Sequence, residues 1–232
     1  MHGLYNWHQL PGTPVHAKVL EWAWLNSRQA QAIRNRYRMV VRELESALQE
    51  KLAEGHPVIK LYSLAGGSGQ AVFEAASRFP HPERLQITLM DKDQTALKQS
   101  AKLAREDFKL TNELQLQEID IIETPIESLK DHHGQAHIVE MVGLMDYLSA
   151  NSCDQALSKA LTLLNPEGHL VTAHIHPNEE KILLERILDW APMIYKTKAQ
   201  FKQLLEKQAA KLHSFHTEPH RIHSVSRLKK QA

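Results

Sequence analysis

The stretch Val58-Ile59-Lys60-Leu61-Tyr62-Ser63-Leu64-Ala65-Gly66-Gly67-Ser68-Gly69, passing directly into a helical pattern over residues 70–78, restricts the choice of fold more than any other part of the chain. An apolar run, a glycine turn and a helix start in succession read as a strand, a tight turn and a helix N-terminus. Open α/β folds use that arrangement to hold a ligand. Without a Cβ, Gly66, Gly67 and Gly69 let a ligand lie close to the main chain, and the free N–H groups of the first helical turn attract an anionic group.

The spacing selects among ligands. A dinucleotide fingerprint needs a small residue three places after Gly69, where Val72 stands, and no Gly-Lys-Ser/Thr follows to grip phosphates. Gly66-Gly67-Ser68-Gly69-Gln70 approaches the Gly-x-Ser-x-Gly turn of serine hydrolases, but Gln70 replaces the last glycine, which disfavours a hydrolase.

Residues 85–93 form a second apolar run that stops at Asp91, about 20 residues past the turn, and a helical pattern covers 94–105. In nucleoside-binding α/β folds an acid at that place accepts hydrogen bonds from both ribose hydroxyls, which makes Asp91 the candidate. Asp93 reads as the cap of the next helix. Further strands are expected over 114–122, 137–144 and 169–174. Helices are expected over 179–189 and 198–211, and a closing hairpin over 212–217 and 221–228.

The glycine turn resembles motif I of the class I S-adenosylmethionine-dependent methyltransferases, and the likeness continues over residues 56–228. Glu123-Thr124-Pro125-Ile126-Glu127 is similar to that family's adenine site, Asn165-Pro166-Glu167-Gly168 to its turn before the fifth strand, and the hairpin to its reversed seventh strand. The chain departs from the pattern at Ser63 and Ala65, where the family carries an acid, at Thr124, usually acidic, and at Glu167, usually glycine.

The resemblance implies a Rossmann-like α/β fold: a seven-stranded, mostly parallel sheet with a reversed final strand. A helical N-terminal extension over 1–55, a candidate lid, is an addition to that pattern. The resemblance also implies S-adenosylmethionine as cofactor, held by Ser63, Ala65, Gly66, Gly67, Gly69 and Met141 around the methionine half, Asp91 and Lys92 at the ribose, and Thr124, Pro125 and Ile126 at adenine. Arg34-Asn35-Arg36, the run 143–148 and the run 189–197 resemble a little-characterised bacterial branch that includes fatty-acid carboxyl methyltransferases.

Little of the remaining composition points elsewhere. A net charge of +1 gives no overall pull towards nucleic acid or membrane, and the apolar runs fall short of the roughly 20 residues that span a bilayer. Cys153 is the only cysteine, so no internal disulfide forms, and a cytoplasmic location is expected. Residues 27–54 repeat apolar side chains every three or four positions, as an amphipathic helix does. Residues 1–25 hold three of the four tryptophans, which read as a satellite cluster or an active-site cover.

Fifteen histidines invite a metal reading, and His174 and His176 share a strand face, yet no acid or cysteine is placed to complete a shell. The activity that the resemblance implies is methyl transfer to an oxygen, less favourably a nitrogen, of a small or lipid-like acceptor. His174, His176, Tyr147 and Glu140 are the candidates to take a proton, and Arg34, Arg36 and Tyr195 to hold the acceptor. Two alternatives stand beside it: a protein that binds the cofactor without turnover, and a nucleic-acid methyltransferase supported only by Arg221, Arg227, Lys229 and Lys230.

Overall fold

The computed structural model describes residues 15–110, 114–182 and 191–231. Helix α1 (Val15–Asn26) leads through Ser27 into α2 (Arg28–Ala53), where the Ser27 hydroxyl accepts the Ala30 N–H and satisfies one donor of the first turn. The apolar stripe of α2, including Ile33, Val40, Val41, Leu44 and Leu48, is buried. Burying one such side chain contributes about 1.5–3 kcal/mol. The helix ends at Gly55, whose φ of +81° a side chain would resist.

Seven strands then form one sheet in the order β3-β2-β1-β4-β5-β7-β6: β1 (Ile59–Leu64), β2 (Leu85–Asp91), β3 (Leu114–Glu118), β4 (Ala136–Met141), β5 (Leu164–Ile175), β6 (Ala210–Thr217) and β7 (His223–Lys230). Helices α3 (Gln70–Ser77), α4 (Gln94–Glu106), α5 (Ile126–His133), α6 (Ala150–Thr162) and α7 (Lys198–Glu206) complete the described helices, with a short 3-10 turn at Leu144–Tyr147. Strands β1 to β5 pair in parallel, and β7 runs antiparallel to both β5 and β6. This is the expected fold, with the reversed strand lying between β5 and β6.

Alternation along each strand gives the sheet two apolar faces. Leu61, Ile87 and Ile138 face α2, α3 and α4, whereas Tyr62, Met90 and Val139 face α5, α6 and α7. Helix α2 is thus part of the first core.

Several boundaries differ from the sequence reading. β3 stops at Glu118 because Asp120 Oδ1 accepts the N–H groups of Ile122 and Glu123 and turns the chain. β4 stops at Met141, before Gly143 at φ +96°. β5 begins at Leu164, and its pairing with β4 is interrupted to admit the Asn165–Gly168 turn. α7 ends at Glu206, and the chain is extended from Ala210. Most of the helix expected over 179–189 lies outside the described residues.

Candidate active site at the carboxyl edge of the sheet

The glycine turn is fixed from below and open above. Ala65, Gly67 and Gly69 all take positive φ, at +52°, +52° and +63°. Asp91 Oδ2 accepts the Gly67 N–H at 2.8 Å, Asp91 Oδ1 accepts the Asp93 N–H at 2.9 Å, and the Ser100 hydroxyl donates to the Gly67 carbonyl at 2.7 Å. A Cβ on Gly66 would stand 2.2 Å from Ser63 Oγ, so that position admits glycine alone. A Cβ on Gly67 would meet nothing within 4 Å. The space over Gly67 is a cradle bounded by backbone and by the half-buried Asp91 carboxylate.

Beneath the turn, the Ser63 hydroxyl donates to Glu140 Oε2 at 2.5 Å. Ser63 therefore faces a neighbouring strand. An acid does stand beside the turn, on β4: Glu140 lines a small cleft with Gly66, Gly69, Gln70 and Arg36. Burial raises the Glu140 carboxyl to about 7, against the hydrogen bonds from Ser63 and the Val142 N–H.

A second cavity of about 260 Å³ opens beside it and shares Arg36 and Val142 with the cleft. Its apolar wall comes from Ile33, Leu144, Ile175 and Met193 together with Val142. Gln29, Arg36, Asp146, Tyr147 and His223 supply the polar groups, and Ala65 forms the edge towards the turn. Asp146 organises this side. Its carboxylate takes Arg36 Nη1 at 3.1 Å and the Ile175 N–H at 2.9 Å, and lies 3.0 Å from His174 Nδ1. Burial alone would raise this carboxyl, but the contact with His174 and the Arg36 charge hold it at about 2.

Other expected residues lie away from the cavity. His174 Nε2 accepts the Lys196 N–H at 3.2 Å, and its Nδ1 faces Asp146. His176 contacts the Lys196 carbonyl at 2.8 Å and the Ser224 hydroxyl at 2.7 Å. Neither imidazole lines the cavity, so the proton-taking role expected of them has no geometry here. The reason is that Phe201 of α7 and the Lys196 backbone pack over both rings. Arg34 donates to the Leu25 carbonyl at 2.7 Å, and Tyr195 packs against Ala32, Ile175 and Ile222 under the Lys181 ammonium, so neither reaches the cavity as expected.

Met141 is wholly buried in the second core, away from both openings. Lys92 is exposed and lies 3.5 Å from Asp120. The Thr124 carbonyl accepts from Lys159 at 3.0 Å, Pro125 precedes α5, and Ile126 packs on the second core. Tyr147, Glu140 and Arg36 do face the two openings. Gln29, Asp146 and His223 were not among the expected site residues. No local motif marks them, because only the strand order brings them to one place. Among the described residues no group of three acids, histidines or cysteines is placed to hold a metal ion, and no helix is long and apolar enough to cross a membrane.

Residues 62–170, from β1 into β5, match a family described as a methyltransferase domain. A solved structure of a possible exported protein from Bordetella parapertussis superposes with a TM-score of 0.77 at 18% identity, covering 100% of this chain and 78% of that one. The magnesium protoporphyrin IX methyltransferase of Synechocystis PCC 6803, solved with bound SAH, gives a TM-score of 0.63 at 12% identity over 88% of each chain. An O-methyltransferase family protein from Burkholderia thailandensis gives 0.61 at 13% identity, over 88% of this chain and 60% of that one. No protein of curated function matches in sequence.

The chain carries a methyltransferase domain of the class I, S-adenosylmethionine-dependent fold. S-adenosylmethionine is the methyl donor of that class, and the residues here fit it. The open cradle over Gly67 leaves room against the backbone, Asp91 keeps lone pairs for hydroxyl donors, and Glu140 offers a buried carboxylate to a cation.

Proposed function

We propose that this chain transfers a methyl group from S-adenosylmethionine to an oxygen, less favourably a nitrogen, of a small or lipid-like acceptor. One observation carries the reading: a glycine cradle and an apolar-walled cavity adjoin at the carboxyl edge of β1 and β4, with Arg36 and Val142 common to both. In this reading Gly66, Gly67 and Gly69 accommodate the amino-acid half of the cofactor, Asp91 holds the ribose, and Thr124 to Ile126 lie at the adenine end. The bound cofactor supplies a methyl carbon on a sulfonium. The residues have only to hold the acceptor in line with it and keep water away. The cavity is smaller than the roughly 300–1,000 Å³ of drug-sized sites, which suits a small molecule or the end of a longer chain.

Three of the four basic residues that favoured nucleic acid are engaged within the fold, and Arg221 stays exposed. Arg227 lies between Glu43 and Glu50, Lys229 pairs with Glu167, and Lys230 donates to the Leu164 carbonyl. That supports a small acceptor. The lid role belongs in this reading to α1, whose Val19 and Trp22 are exposed and which leads directly to Gln29. A change in tryptophan fluorescence on cofactor binding, lost in Trp22→Phe, would register it.

Calorimetry with S-adenosylhomocysteine tests the cofactor assignment. One-to-one binding that is lost in Gly67→Val is the expected result. Absence of heat with folded protein, together with tight binding of NAD, would refute it.

A further inference from the structure

Lys159 commits its whole ammonium to one turn. From the last turn of α6 its Nζ donates to the carbonyls of Ile121 at 3.2 Å, of Ile122, and of Thr124 at 3.0 Å. An ammonium has three N–H groups, so none is left for solvent or a ligand.

Asp120 holds the same turn from within. Its Oδ1 accepts the N–H groups of Ile122 and Glu123, its carbonyl accepts the Thr124 N–H at 2.9 Å, and its Oδ2 lies 3.5 Å from Lys92 Nζ. Backbone groups of a connection at the surface can be left to water. Here the carbonyls of Ile121, Ile122 and Thr124 and the N–H groups of Ile122, Glu123 and Thr124 are matched by protein instead, and ordering a lysine to do so is costly in side-chain entropy. The turn is fixed more firmly than joining β3 to α5 requires.

Its place gives that stiffness a use. The turn leaves the carboxyl end of β3, where the Ile119 N–H donates to the Asp91 carbonyl at 3.0 Å and Glu118 pairs with Asp91. Along the carboxyl edge the glycine cradle therefore stands at β1, the Asp91 carboxylate at β2 and this turn at β3. S-adenosylmethionine has the same linear order of amino-acid half, ribose and base. With its ribose at Asp91, the base falls beside the turn, on the side of β2 away from the acceptor cavity.

We propose that Lys159 is a positioning residue for the cofactor: it touches no ligand, and by gathering three carbonyls it holds the turn in the shape that receives the base. The proposal rests on the methyltransferase reading above and deepens it at the adenine end. Without the ammonium the three carbonyls are released and the turn takes other shapes as well, so apparent affinity falls with the fraction that keeps the competent one. The loss belongs to every ligand that carries the adenosine half. An arginine, with five N–H groups, can still bridge the carbonyls.

The test uses the full chain with S-adenosylhomocysteine and with 5′-methylthioadenosine, which keeps the adenosine half and lacks the amino acid. In calorimetry Lys159→Met should weaken both ligands by a similar factor, roughly tenfold or more, and Lys159→Arg should restore most of the loss. In the ¹⁵N-labelled parent, S-adenosylhomocysteine should shift the amide resonances of residues 121–124 and slow hydrogen exchange from the Lys159 ammonium, a change that a lysine serving the fold alone does not show. Unchanged affinity for both ligands in folded Lys159→Met, a loss confined to S-adenosylhomocysteine, or turn amides unmoved by it would each overturn the proposal. Should Lys159→Met fail to fold, the amide shifts and ammonium exchange of the parent decide. Failure of the parent to bind S-adenosylhomocysteine is the separate sign that the cofactor reading is wrong, and the proposal falls with it.

Discussion

The two halves of the carboxyl edge are built on different principles. The cradle side, from Ala65 to Gly69 with Asp91, is made of backbone and short-range hydrogen bonds, and its side chains are small or absent. The acceptor side is made of long side chains, Arg36, Asp146, His174 and His223, drawn from α2, the 3-10 turn, β5 and β7 and packed almost without solvent. A ligand part common to many enzymes can be read by main chain. The part that varies has to be read by side chains brought from afar. The first is most sensitive to added Cβ atoms, and the second to the loss of a buried charge.

The largest expected effect breaks the acceptor side. Asp146→Ala leaves the Arg36 guanidinium buried without its carboxylate and the Ile175 N–H without its acceptor, and should destabilise the fold by about 3–5 kcal/mol in chemical denaturation. A loss below 1 kcal/mol would mean that Asp146 does not organise this half.

On the cradle side, Asp91→Ala should weaken S-adenosylhomocysteine binding by about 2–4 kcal/mol in calorimetry. Because Asp91 also accepts from Gly67 and Asp93, a parallel Asp91→Asn variant separates the ribose contact from support of the turn. Equal affinity in parent and both variants would move the ribose elsewhere.

Glu140 joins the two halves and sharpens the contrast through pH. Its folded pKa of about 7 lies above the ordinary 4.5, so the folded protein binds the proton more tightly than the unfolded chain does. That stability is full below about pH 4.5 and is lost as pH rises through 7, on the order of 3 kcal/mol. Glu140→Gln should flatten this part of the profile; an unchanged slope from pH 4.5 to 7 would assign it to other groups.

The smallest effect returns to the turn. Ala65 sits at φ +52°, where a Cβ is strained, so Ala65→Gly should stabilise by about 1 kcal/mol in thermal unfolding. A destabilised variant would show that the Ala65 methyl, which lines the cavity, contributes more by packing than it costs in strain.

The same division explains what could be read from the sequence. The turn, Asp91 and the Asp93 cap are local patterns, and the strand–helix alternation gives the sheet, so the cradle and the fold are visible along the chain. The Ser63–Glu140 bond spans 77 residues, and the Arg36–Asp146 pair spans 110. Hydrophobic period tells which face a residue takes, but not which remote neighbour it meets there. His174 and His176 illustrate the limit: strand alternation places them on one face, but what covers that face is Phe201 of α7, remote in sequence. The short β3 was hidden because the turn at Asp120 falls inside an apolar run.

The insertion of β7 between β5 and β6 also imposes an order of assembly. β6 pairs only with β7, so it has no place in the sheet until β7 has found β5. Pairing β6 with β7 is a hairpin event on the scale of about 1–10 μs, whereas joining β5 must close a loop across α7 and is slower. The hairpin should therefore dock as one unit, and pulsed hydrogen exchange should show β6 and β7 gaining protection together. His223 arrives with that unit, so the cradle can be in place while the acceptor cavity still lacks one wall.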